Sequence, residues 1–119
     1  MKVLPLTCAL GAEIQGVNLA EAGRNADLAG EIKALLLKHK VLFSREQVMT
    51  DAEHAALARI FGELEDHPLA PSTSGELGII QIWKTPDSPP ERYENAWHHD
   101  ATWRETPPMG AALRCLECP

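Results

Sequence analysis

Cysteine is scarce in this 119-residue chain: only Cys8, Cys115 and Cys118 are present. A small, odd number gives no disulfide framework of the kind that staples secreted domains. Long apolar runs are absent too. None approaches the ~20 residues that cross a bilayer, and the start, Met1-Lys2-Val3-Leu4-Pro5-Leu6-Thr7, lacks the apolar segment of a secretory signal. These absences lead to the expectation of a cytoplasmic protein with no membrane partner. Positive charge is also short, with 11 Lys plus Arg against 17 Asp plus Glu and a formal net charge of -6. A nucleic-acid surface needs clustered cations to displace counterions, so no nucleic-acid partner is expected. The imbalance does not bear on a small anionic substrate, which one local arginine can hold.

What is present fits a single domain over residues 1–119. Hydrophobic residues make up 45% and charged residues 24%, which suffices for a core. Val3-Leu4-Pro5-Leu6 reads as an edge strand, and Ile14 alternates with polar neighbours between Gly11 and Gly16, as in a half-buried strand. Leu28, Ile32, Leu35 and Leu36 recur at helical spacing. Asn25 or Asp27 serves as N-cap, and Lys38-His39-Lys40 suits the C-terminal end of the helix dipole. Val41-Leu42-Phe43 reads as a short buried strand. Thr50-Asp51-Ala52-Glu53 matches the capping box and opens a second helix, with Leu57, Ala58 and Phe61 on one face and Gly62 ending it. Ile79-Ile80-Gln81-Ile82-Trp83 and Gly110–Leu116 read as strands. Residues 71–75 and 86–91, rich in Pro, Ser and Gly, read as loops.

The chemistry concentrates in Trp97-His98-His99-Asp100. In an extended segment, side chains two apart share a face. His98 and Asp100 therefore converge, and His99 points away. An imidazole and a carboxylate on one face supply two of the three ligands of a 2-His-1-carboxylate iron site. No histidine follows His99 to complete the set. On spacing alone, a plain His–Asp hydrogen bond is the competing reading.

The wider string, Trp97-His98-His99-Asp100 with Glu105-Thr106-Pro107-Pro108, joins Gly11-Ala12-Glu13-Ile14-Gln15-Gly16-Val17, Phe61-Gly62-Glu63-Leu64 and His67-Pro68. In this order and spacing it resembles the taurine dioxygenase-like family of Fe(II)- and 2-oxoglutarate-dependent oxygenases. The resemblance implies an α+β fold, an incomplete double-stranded β-helix (jelly roll) with N-terminal helices, forming the N-terminal part of such an oxygenase domain. It implies Fe(II) as metal and 2-oxoglutarate as cosubstrate. The reaction it implies converts 2-oxoglutarate to succinate and CO2 while hydroxylating a small anionic substrate of sulfonate, sulfate or ether type. His98 and Asp100 match the first two iron ligands and catalytic positions. His67 matches a histidine that anchors the anionic head group, and Ala101, Thr102 and Trp103 fall near the pocket. Leu69-Ala70 stands where taurine-specific members carry an aromatic hydroxyl, and Glu94 stands at their asparagine position. Both departures argue against taurine itself.

The family's second iron-binding histidine and its cosubstrate threonine and arginine belong downstream of Pro119. The expectation is therefore that this chain is inactive alone. Other readings are a non-catalytic remnant serving as a binding or interaction protein, or a small metal-binding protein using His98, Asp100 and Cys115 or Cys118. Cys115-Leu116-Glu117-Cys118 has redox or zinc spacing, but no second pair accompanies it. Leu113 and Leu116 are expected to lack cover, favouring self-association into a homo-oligomer.

Overall fold

The computed structural model describes residues 1–66, 72–85, 87–88 and 97–117. Its ordered centre is a three-stranded sheet, β1 (Lys2–Pro5), β2 (Ala12–Gln15) and β3 (Leu42–Phe43), in spatial order β1-β2-β3. β1 runs antiparallel to β2, with Val3 opposite Ile14, and β2 runs parallel to β3, with Ala12 opposite Leu42. In β2 the pleat sends Ala12 and Ile14 inward, at 0% and 2% exposure, while Glu13 turns out to meet Arg45. That alternation gives β2 one buried and one exposed face, and its pairing with both β1 and β3 places it at the centre of the sheet. The expected buried strand at 41–43 is instead a sheet edge: Leu42 is partly covered, and Val41 and Phe43 are exposed.

Helix α1 (Ala26–His39) crosses from β2 to β3. Between the two possible caps the structure selects Asn25, whose side-chain oxygen accepts from the Leu28 amide at 3.0 Å. Asp27 occupies the first turn, and Lys38 and His39 the last, each complementing the local end of the helix dipole. A short 3-10 turn (Leu19–Glu21), capped by Asn18, has no apolar periodicity to announce it. Gln47 fixes it, accepting from the Leu19 amide at 2.8 Å and donating to the Val17 carbonyl at 3.1 Å.

Helix α2 (Asp51–Arg59) begins with the expected capping box. Past Arg59, the amides of Ile60, Phe61 and Gly62 bond three residues back, so the α-helix tightens before Gly62 rather than at it. Its inner face meets the core of Ala22, Ile32 and Leu57, with Leu19, Leu28, Leu42, Met49, Ile60 and Phe61 packed around. Gly23 lies so close to α2 that a Cβ there would stand 2.5 Å from that of Ala56. Only glycine allows this approach of the 3-10 turn to the helix.

The capping box carries a pH dependence. The backbone N–H of Thr50, and then its hydroxyl, donate to the Glu53 carboxylate and hold it below the ordinary carboxylate range, against a smaller desolvation effect. A carboxyl depressed in the folded state contributes stability above its unfolded value and loses it as pH falls through the folded one. The first turn of α2 is therefore expected to fray on acidification below the ordinary carboxylate range. Thr50→Ala should raise the Glu53 midpoint only part of the way, because the backbone donor remains. A pH titration of the Glu53 carboxyl carbon by NMR measures this, and an unchanged midpoint would contradict it.

The expected strands at 79–83 and 110–116 are not part of the sheet. Strand propensity needs a partner ladder, and among the described residues neither run has one. Residues 79–83 are held by loop contacts instead: the Thr73 amide donates to the Ile79 carbonyl and the Gln81 amide to the Thr73 hydroxyl, both at 2.9 Å. Residues 110–116 lie against the start of α2. His54 Nε2 meets the Ala112 carbonyl at 3.0 Å, and Arg114 binds Asp51 at 2.5 Å and the Met49 carbonyl. The helices expected near 27–39 and 51–61 and the strands at the N-terminus are present, so the described fold is α+β. Leu113 and Leu116 are exposed, at 90% and 66%. Among the described residues, no helix is long and apolar enough to cross a membrane.

Candidate functional site

His98 and Asp100 lie in an irregular segment that leads into a turn over residues 100–103, not in a laddered strand. Their side chains nevertheless meet, with His98 Nε2 3.2 Å from Asp100 Oδ1. The neighbouring His99 is engaged differently, its Nδ1 lying 2.7 Å from the Asp100 backbone carbonyl. The two side chains named for metal binding thus meet, but a turn supplies the backbone and not the strand alternation from which their convergence was expected.

The turn is built by Ala101 and Arg104. Ala101 is 7% exposed and adopts φ +53°, in the left-handed region that side chains disfavour. The Arg104 amide donates back to the Ala101 carbonyl at 3.0 Å. Thr102 is exposed. Trp97 and Trp103 are 98% and 64% exposed. His98 and Asp100 are themselves more than half exposed, so water screens their attraction and the pair alone does little to hold the turn.

Two donors at right angles, each about 2.1 Å from one metal ion, stand about 3 Å apart. The separation of His98 and Asp100 fits such a pair. Their chemistry, one imidazole nitrogen and one carboxylate oxygen, suits a divalent first-row metal. Among the described residues, no third His, Cys, Asp or Glu joins them in a metal-binding group. Cys115 is exposed and its thiol faces the Glu117 carbonyl at 3.4 Å. Cys118 lies outside the described residues, as does His67.

The segment before His67 makes several contacts. Asp66 Oδ1 accepts from the Ser72 hydroxyl, from the Ser72 amide at 3.3 Å and from the Gly78 amide at 3.4 Å. The Ser72 hydroxyl is the main cause that holds the Asp66 carboxyl below the ordinary range, with desolvation opposing it. Gly78, at φ +80°, packs its Cα so near Leu64 that a Cβ would stand 3.2 Å from Leu64 Cβ. Glu65 pairs with the guanidinium of Arg104. Glu65, Asp66 and Arg104 escape a reading of the sequence, because partners this far apart in the chain leave no local pattern.

The family description "Taurine catabolism dioxygenase TauD, TfdA family" matches residues 2–119. An alpha-ketoglutarate-dependent sulfate ester dioxygenase from Pseudomonas putida is 32% identical over the whole chain, which spans 38% of that relative's length. The crystal structure of a taurine dioxygenase-like protein from Burkholderia xenovorans superposes with a TM-score of 0.70 at 35% identity. It covers 89% of this chain and 38% of its own. A structure of AAD-2 in complex with Mn(II) and N-oxalylglycine matches 58% of this chain and 27% of its own, at 26% identity and a TM-score of 0.51.

Proposed function

Because the chain belongs to the TauD/TfdA family of taurine catabolism dioxygenases, we propose that residues 1–119 form the N-terminal part of an Fe(II)- and 2-oxoglutarate-dependent dioxygenase domain. In this reading His98 and Asp100 are two of three protein ligands to iron. The single observation that carries it is their 3.2 Å convergence within a chain of this family. The AAD-2 structure supports the metal and the cosubstrate class, since N-oxalylglycine is 2-oxoglutarate with NH in place of a methylene.

When bound, the metal would supply activation of O2 coupled to decarboxylation of 2-oxoglutarate. The chain's own residues do simpler things. His98 offers Nε2 and Asp100 offers Oδ1 as adjacent donors, and Ala101 turns the backbone so that both stay on one side. His67 is assigned the anionic head group of a small substrate, for which a sulfate ester is the class named by the Pseudomonas putida relative, and Ala101 and Thr102 are assigned to substrate binding. The third ligand and the cosubstrate-binding arginine are not supplied by the matched motifs. The 119-residue chain is therefore proposed to bind without turning over.

Residue-resolved NMR of the chain tests this reading. Mn(II) is expected to broaden the signals of His98 and Asp100 first, and a short alkyl sulfate to shift those of His67, Ala101 and Thr102. Uniform broadening along the chain would remove the metal assignment. Succinate release from the 119-residue chain with Fe(II), 2-oxoglutarate and alkyl sulfate would show that two ligands suffice and overturn the incomplete-set half.

A further inference from the structure

Residues 97–117 carry the proposed metal donors but add no strand to the three-stranded sheet. Their attachment to the folded body shows at residues 110–116, along the start of α2. Coverage alternates there: Ala112 and Arg114 are partly covered, while Ala111, Leu113 and Cys115 are exposed. That is the period of an extended chain with one face docked. The docked face meets Asp51 and His54, which are three apart and so share one face of α2. Arg114 donates to Asp51 Oδ1 at 2.5 Å and to the Met49 carbonyl, and His54 Nε2 lies 3.0 Å from the Ala112 carbonyl. At 16% and 31% exposure, the side chains of Arg114 and Asp51 are far better covered than those of His98 and Asp100. Two charge-assisted bonds from one planar guanidinium also fix a direction that a single ammonium would not.

The chain between this dock and the metal donors has little slack. The Arg104 amide closes the turn after Asp100 on the Ala101 carbonyl. Pro107 and Pro108 follow, and each proline ring fixes its own φ and restricts the residue before it. We infer that Arg114 and His54 are positioning residues: they latch residues 110–116 onto α2, and the stiff Pro107-Pro108 link carries that placement back to His98 and Asp100. This rests on the metal reading given above and deepens it. The donors are exposed and screened by water, so their orientation toward the folded body is set where the same stretch is pinned.

NMR of the whole chain tests this in three variants: Arg114→Leu, His54→Ala, and Pro107→Gly combined with Pro108→Gly. Two readouts are needed: the amide order parameters of residues 111–115, and the Mn(II) concentration that half-broadens His98 and Asp100. Arg114→Leu and His54→Ala are each expected to lower those order parameters from about 0.85 toward 0.6. Each should also raise the half-broadening concentration about three- to fivefold, the scale of a partly covered ion pair. The double glycine variant should keep the order parameters of 111–115 high and still raise the Mn(II) concentration, because the latch holds while the link goes slack. An unmoved Mn(II) concentration in that variant would remove the link. A purely electrostatic role gives the opposite sign at Arg114, since losing a cation strengthens Mn(II) binding, and that result would overturn the inference. So would order parameters unchanged in both Arg114→Leu and His54→Ala. A merely structural role would loosen residues 111–115 and leave Mn(II) binding untouched, which also sinks the positioning role. If Mn(II) shows no preference for His98 and Asp100 in the unaltered chain, the metal reading itself fails, while the order parameters still decide whether the latch exists.

Discussion

Replacing Asp100 with alanine is expected to abolish the site-specific Mn(II) broadening at His98. The change takes away one of the two donors proposed for the ion, and a single imidazole does not define a metal site. In a chain carrying the complete ligand set, the same change should remove metal-dependent turnover by more than about 100-fold, since losing even a group that merely supports a ligand costs about 10- to 100-fold. His98→Ala should behave alike. His99→Ala is the control. Its ring meets the Asp100 backbone carbonyl rather than the pair, and the broadening at His98 should survive. Equal loss in the His99 variant would mean that any histidine in the segment can bind the ion and that the His98–Asp100 geometry is irrelevant.

The second large effect is on stability. The large buried side chains among the described residues are Ile14, Ile32, Leu57 and Ile79; the remaining buried apolar positions are alanines. Ile32 is 3% exposed and joins α1 to Ala22 and Leu57. Truncating it to alanine is expected to cost about 2–5 kcal/mol through lost burial and the cavity left behind. With so thin a core, that is a large share of the ~5–15 kcal/mol that a folded domain holds. The thermal midpoint should fall by roughly 10–20 °C, or cooperative unfolding should vanish. Leu37, on the same helix but 54% exposed, should tolerate alanine within about 0.5 kcal/mol. Similar losses at Leu37 and Ile32 would show that the core does not lie where the structure puts it.

Local signals proved readable and distant ones did not. Thr50 and Glu53 lie within one helical turn, and their reciprocal hydrogen bonds are a property of that short stretch. The Asn25 cap and the convergence of His98 with Asp100 are equally local. The β-rich runs at 79–83 and 110–116 failed as strands because a strand is defined by its partner, which composition does not name. Arg114 finds Asp51 across a separation of 63 residues, and no periodicity announces such a meeting. The same holds for Glu65 and Arg104. His67 and Cys118 fall outside the described residues, so the head-group role stands on the family resemblance and on the proposed substrate class.

The mixed sheet also dictates an order of assembly. β1 and β2 are antiparallel neighbours in sequence, so their pairing needs only a short loop to close, an event of about 1–10 μs. β3 joins β2 in parallel, and it can do so only after the whole of α1 has folded back across the gap. Closing that longer excursion spends chain entropy before any parallel contact repays it. The hairpin is therefore expected to form early and β3 to join late. Leu42 and Phe43, a strand of two residues, should be the first part of the sheet to let go when the chain opens.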